Sequence, residues 1–405
     1  MDTSIGASIM WDSPAMVADP FAVYERLRRE APVCRTRMRM GYLGDADVYA
    51  LTRYRDCVDL VTDERMRRTA EVSESLPVPK VFQLLTTDSM IGKDQLEQSR
   101  LRKLASRTFS RKAIARMPDR IDAITGDLLG GFSPGQRIDL QAGYAVPIPS
   151  IVLSEMVCAD EADQARFRDV SRILNAVVAP QDGIEQMMAR LESTVEFVRE
   201  MIERRRAEPA DDIMTVLVDA NWDGDTLSDD EIVAMVFLLV VADSESTYSL
   251  IANGVAALLT HPDQLDLLKT NPNLIGSAVE EILRFTGTIG STEVFYPQED
   301  IELHGVVIPR RARVIPLLAS ANRDPSVFDD PDTFDITRTP NRHIAFSKGT
   351  HFCLGAKLAR METCIAITNL IKRFPDIRLA VEPAELQIAR VPILRRFTSL
   401  PVVLN

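Results

Sequence analysis

The chain has 405 residues, 46% of them apolar, and a formal net charge of −12. That apolar share is ample for a large core, and the acidity excludes nucleic acid as a partner, since phosphate binding needs a basic surface. Five cysteines, Cys34, Cys57, Cys158, Cys353 and Cys364, are odd in number and scattered, which fits a reducing compartment and argues against a disulfide framework.

The N-terminus, MDTSIGASIMWDS, lacks a charged n-region and an apolar h-region, so neither export nor a membrane anchor is expected. The longest apolar run, Ile232 to Ala242, has 11 residues, short of the roughly 20 that a membrane span requires. A cytoplasmic protein is expected. No Gly/Ser-rich or Pro-rich linker, repeat or low-complexity tract divides the chain, so one mostly helical body is the simplest organisation.

In chain order, the first distinctive segment is Ser99 to Lys112, which holds Arg100, Arg102, Lys103, Arg107, Arg111 and Lys112 without an acid. Further on, Ser228 to Glu231 has the form of a capping box, so a helix should start there. It is apolar on all sides to Ala242, as a helix crossing a core would be, and should run to about Thr260, where His261-Pro262 stops it. In its middle stand Ala242-Asp243-Ser244-Glu245-Ser246-Thr247, five of them polar. Hydroxyls there can bond back to the carbonyl four residues earlier and open a turn. Asp243 would need a proton, water or a cationic substrate group, because an isolated buried charge is costly; a basic or hydroxylated substrate is one candidate partner and groove water the other.

Glu281 and Arg284, three apart, share one face of a further helix. The last signal is Phe346 to Gly355, FSKGTHFCLG, where Cys353 lies between Gly349 and Gly355 just before a helix expected over Ala356 to roughly Phe374. A loop that must lie flat under a large planar ligand needs glycines, and a helix N-terminus behind the sulfur lowers the thiolate's pKa.

With Phe346, Gly349, His351, Cys353 and Gly355 at the fixed positions of F-x-x-G-x-H-x-C-x-G, the chain resembles a cytochrome P450 of the bacterial, soluble, ferredoxin-dependent class. The resemblance runs from about Asp19 to Val403, leaving residues 1–18 as an N-terminal extension and 19–405 as the P450 domain. It implies a mainly α fold with small β-sheets, a triangular single-domain helical body with haem b between the I and L helices and Cys353 on the iron. Glu281 and Arg284 match the E-x-x-R pair, with Arg338 as the nearest third member and Thr333 where many relatives have arginine.

By the same resemblance, Ala242 falls on the small residue of the I helix, Glu245 on the acid and Ser246 on the alcohol of the proton relay, while Asp243 replaces a glycine. Gln98 stands at the first propionate histidine, Arg102 and His351 are kept, and Phe295 stands at the sheet arginine. Two of the four anchors are altered, with Arg100 or Tyr296 as compensating candidates, and a less neutralised haem would be harder to reduce. The pocket would be lined by Phe82, Met90, Phe237, Ile289, Thr292 and Ile393. Lys348, Lys357 and Arg360 would join the basic segment in a cysteine-side face that steers an acidic ferredoxin.

No G-x-G-x-x-G follows a strand, so electrons should come from separate ferredoxin and ferredoxin reductase. The function implied is a haem-thiolate monooxygenase inserting one oxygen atom from dioxygen into a bulky small-molecule substrate, such as a polyketide, macrolide or modified peptide of secondary metabolism. Oxidative ring closure or coupling on the same haem, and a non-catalytic accessory protein of this fold, are the alternatives.

Overall fold

The computed structural model describes residues 19–39, 45–69, 80–85, 88–109, 114–177, 184–389 and 394–405, with Ser13 and Met16. In chain order, the elements used below are β1 (Val33–Arg39), β2 (Asp45–Leu51), β3 (Met66–Arg67), α1 (Gln95–Ala105), β4 (Arg137–Asp139), α2 (Asp229–Thr260), α3 (Ile275–Thr286), β5 (Tyr296–Pro297), β6 (Val314–Pro316), α4 (Ala356–Arg373), β7 (Arg378–Leu379) and β8 (Pro401–Val403). Two compact units arise, one from residues 1–70, 125–145 and 248–405, the other from 71–124 and 146–247.

The first unit carries a three-stranded sheet in which β2 pairs antiparallel with β1 and parallel with β6. Side chains alternate across a strand, and both faces are covered. Cys34, Met38, Val48 and Ala50 pack into one apolar cluster with Tyr24 and Leu27. Val33, Leu51 and Val314 pack into another with Cys57, Leu60, Phe295 and Ile344. Two smaller sheets join β3 to β5 and β7 to β8 to β4.

In the second unit the capping box is formed. The Ser228 backbone N–H donates to Glu231 Oε2 at 2.8 Å, and the Glu231 N–H donates to Ser228 Oγ at 3.3 Å. From there α2 runs unbroken for 32 residues, and His261-Pro262 ends it by opening the next helix at Pro262. It is the one described helix long and apolar enough to cross a membrane by length and composition, and most of its apolar window is buried in protein. The division between the units falls inside α2, after Thr247.

Candidate active site

In the first unit, the segment 344–356 turns twice through the left-handed region, at Ser347 (φ 59°) and Gly349 (φ 69°). A Cβ at Gly349 would sit 3.1 Å from the Val61 carbonyl oxygen, so glycine is required there by both conformation and space. The double turn brings the Cys353 N–H to the Phe346 carbonyl oxygen at 3.0 Å. Cys353 is half-buried, three residues before the first residue of α4. At Gly355 an added Cβ would meet no protein atom within 4 Å. The polypeptide itself gives no reason for glycine at that position, whereas a flat macrocycle lying against the loop would. A soft thiolate, a glycine-cleared surface and the exposed Phe352 ring form a donor set that fits haem.

Two carboxylates on α3 tie down the chain on either side of this loop. Glu281 and Arg284 have no accessible side-chain surface and are joined by two hydrogen bonds of 2.7 Å. Arg338 Nε and Asn341 Nδ2 also reach Glu281, at 3.3 and 3.0 Å, and Arg284 donates to the carbonyls of Asn322, Pro331 and Thr333. Position 333 therefore contributes through its carbonyl. Glu280 accepts from Arg360 at 2.6 and 2.9 Å and pairs with His343 at 2.8 Å, while the Arg360 guanidinium lies 4.5 Å from the centre of the Phe346 ring. Burial pushes the Glu280 carboxyl up, but these two partners outweigh it and hold it down at about 2.

In the second unit, α2 is buried along Ile232–Val240 apart from the half-buried Leu238, and buried again from Thr247. Between these stretches Val241 and Ala242 are exposed, and Asp243, Glu245 and Ser246 are half-buried. Ser246 Oγ donates to the Ala242 carbonyl, the bond back by four residues expected from the sequence, yet the helix stays α-helical. The opened turn is not formed, because the hydroxyl takes its bond within ordinary helix geometry. Asp243 Oδ1 accepts from Thr247 Oγ1 at 3.4 Å, and Oδ2 is buried without a partner. Burial lifts the Asp243 carboxyl to about 7, with the Thr247 hydroxyl pulling the other way. Residues two apart on a helix do not face each other, so Asp243 and Glu245 stand on different sides of α2.

Several expectations change. Arg100 is engaged by Asp225 and Glu231, and Arg360 by Glu280, so neither is a free cation for docking or for a propionate. Burial pushes the half-buried Tyr296 hydroxyl up, and the nearby Arg313 cation opposes this. Arg111 and Lys112 lie outside the described residues, and Lys348 is half-buried with Nζ 3.2 Å from the Tyr54 hydroxyl. Phe237 has no accessible surface and packs in the core. Met90 is buried, and Ile289 and Thr292 are half-buried. Ile393 and the side chain of Phe82 lie outside what is described. Gln98 is buried, and Arg102 and His351 are half-buried.

One residue was missed by sequence reasoning. Phe295 is buried, and the Arg68 guanidinium stacks 3.7 Å from its ring centre while donating to the Glu293 carbonyl at 2.6 Å. A cation thus accompanies the aromatic side chain at that position. The only hint is the Arg67-Arg68 pair at the end of the short strand β3, which nothing in one sequence ties to residue 295.

Comparison with known proteins agrees with this geometry. The cytochrome P450 family profile matches residues 181–376. The chain is 36% identical over 407 residues to cytochrome P450 CYP107DY1 of Priestia megaterium, covering 97% of this chain and 98% of the relative. It is also 36% identical to the polyketide biosynthesis cytochrome P450 PksS of Bacillus subtilis, covering 96% of each. The solved structure of PksS, described as belonging to a bacillaene polyketide synthase, superposes with a TM-score of 0.90 at 34% identity, over 98% of this chain and 99% of that one. Membership of this family implies a haem ligated by a cysteine thiolate. The chain belongs to the cytochrome P450 family and is a monooxygenase, an oxidoreductase.

Proposed function

We propose that Cys353 supplies the thiolate for a haem b and that the protein inserts one oxygen atom from dioxygen into a bulky, partly oxygenated product of secondary metabolism. The observation that carries this reading is the doubly turned loop that presents Cys353 at the head of α4, beside a glycine with open space where its side chain would be. Support for a polyketide or macrolide substrate comes from the similarity to PksS, a polyketide biosynthesis P450 by name. The P450 domain spans 19–405.

When bound, the haem supplies reductive activation of dioxygen; everything else falls to the chain. Arg102 and His351 would hold the haem's carboxylates, with Arg68 as the cation at the position where Phe295 offers no donor. Arg102 makes no ion pair among the described residues, which leaves its guanidinium for that role. On α2, the Ser246 hydroxyl is held by the Ala242 carbonyl, so its oxygen lone pairs are oriented to accept a proton-bearing group, and the half-buried Glu245 carboxyl serves as the proton store. Met90, Ile289 and Thr292 keep water from the substrate. Exposed Lys103, Arg107 and Lys357 are the cations left to meet an acidic ferredoxin, itself reduced by ferredoxin reductase in the cytoplasm.

The test is reconstitution with a ferredoxin, its reductase and NADPH under isotopically heavy dioxygen, with a panel of macrolactones. One heavy oxygen atom in the product supports the reading. Turnover without label from dioxygen overturns the oxygen insertion, and no turnover across the panel despite a reducible haem overturns the substrate class.

A further inference from the structure

Helix α2 would be more stable without Asp243. The helix is apolar and buried on both sides of this residue, and a carboxylate there must be desolvated. Its Oδ1 receives only the 3.4 Å bond from Thr247, and its Oδ2 is buried with no donor. Among the described residues no lysine, arginine or histidine lies within ion-pair distance of it. Service in the proton relay does not explain it either, because Glu245 projects from another side of the helix.

The surroundings point to an external partner. Asp243 keeps part of its surface accessible, and it directly follows Val241 and Ala242, the exposed apolar residues of an otherwise buried stretch. A ligand lying on α2 at this turn therefore meets an aliphatic surface and, at its margin, one acid. The terminal torsion of the carboxylate is soft, and the 3.4 Å bond from Thr247 is weak, so the side chain can turn from Thr247 to present an oxygen to a ligand donor. A hydroxyl would leave the desolvated charge uncompensated. A protonated tertiary amine offers both the opposite charge and one N–H donor.

Resting on the reading that this protein oxidises a bulky small molecule, we propose that Asp243 is the recognition site for a protonated amine carried by that substrate. The ligand class is a cationic amphiphile in which a tertiary amine adjoins an aliphatic skeleton. Val241 and Ala242 take the skeleton, and Asp243 takes the ammonium.

The test uses the haem-loaded enzyme and two matched probes, N,N-dimethyldodecylamine and its uncharged ether analogue, titrated by calorimetry with the spin-state shift followed in parallel. Wild type should bind the amine at least about tenfold more tightly than the ether, the worth of one charge-assisted hydrogen bond. Asp243→Asn should lose that preference while binding the ether as before. Asp243→Ser serves the same purpose if the first variant does not fold. Equal affinity for the two probes in wild type, or a preference that survives both substitutions, overturns the proposal. The thiolate-type carbon monoxide band, measured on the same preparation, reports separately on the haem reading. A normal band with no amine preference therefore condemns Asp243's role alone.

Discussion

Glu281 and Arg284 stand three residues apart on α3 with no accessible side-chain surface, and the two 2.7 Å bonds between them are the buried centre of a network that includes Arg338 and Asn341. Removing either charge strands the other. Glu281→Gln or Arg284→Leu should cost about 3–5 kcal/mol, the usual penalty for breaking a buried ion pair. Thermal unfolding of the purified variants checks this, and a loss under 1 kcal/mol would show that the pair is dispensable.

The neighbouring Glu280 predicts a pH dependence of opposite origin to that of Asp243. Its carboxyl is held at about 2 against an ordinary 4.5, so the ionised form stabilises the fold above about pH 4.5, and the contribution fades as the pH falls toward 2. The side chain is about one-third exposed, so roughly 1–3 kcal/mol is expected after allowance for solvent screening. Glu280→Gln should melt below wild type at pH 7, with the gap narrowing at pH 3.

Asp243 has its carboxyl raised from 3.8 to about 7, with Thr247 as its hydrogen-bond partner. Ionisation is harder in the folded state, so this group costs stability as the pH rises from 4 through 7. Asp243→Asn should raise the melting temperature at pH 8 and change it little at pH 4.5. An equal effect at both values would mean that the carboxyl titrates normally.

How much of this was readable beforehand depended on the distance over which a residue finds its partner. The ends of α2 were legible because Ser228, Glu231 and Pro262 act locally, and α4 begins at Ala356 and ends one residue before Phe374 for similar reasons. The spacing of Glu281 and Arg284 likewise put both on one turn. The cations were another matter. Arg100 finds Asp225 at a separation of 125 residues, and Arg360 finds Glu280 at 80, so a segment that reads as a basic patch is partly neutralised in the fold. Arg68 above Phe295 is the same lesson with the opposite effect, since folding brings a cation to a position that looks devoid of one. The turn at Ser246 was expected to open, and the sequence carried no sign that the bond to Ala242 would fit inside the helix.

Gly349 combines a left-handed backbone with a carbonyl oxygen 3.1 Å from where a Cβ would be. Gly349→Ala should therefore cost about 1–2 kcal/mol for the conformation, with further loss for displacing Val61. Because the strain falls in the loop that carries Cys353, the variant should also show a smaller fraction of thiolate-type carbon monoxide complex. A full thiolate band at wild-type stability would contradict this.

The most direct measurement is the carbon monoxide difference spectrum of the reduced wild-type protein beside Cys353→His. Wild type should show a strongly red-shifted Soret band, and the variant should lose it for a band of histidine-ligated type. A wild-type protein without the red-shifted band, or a variant that keeps it, would show that Cys353 is not the iron ligand.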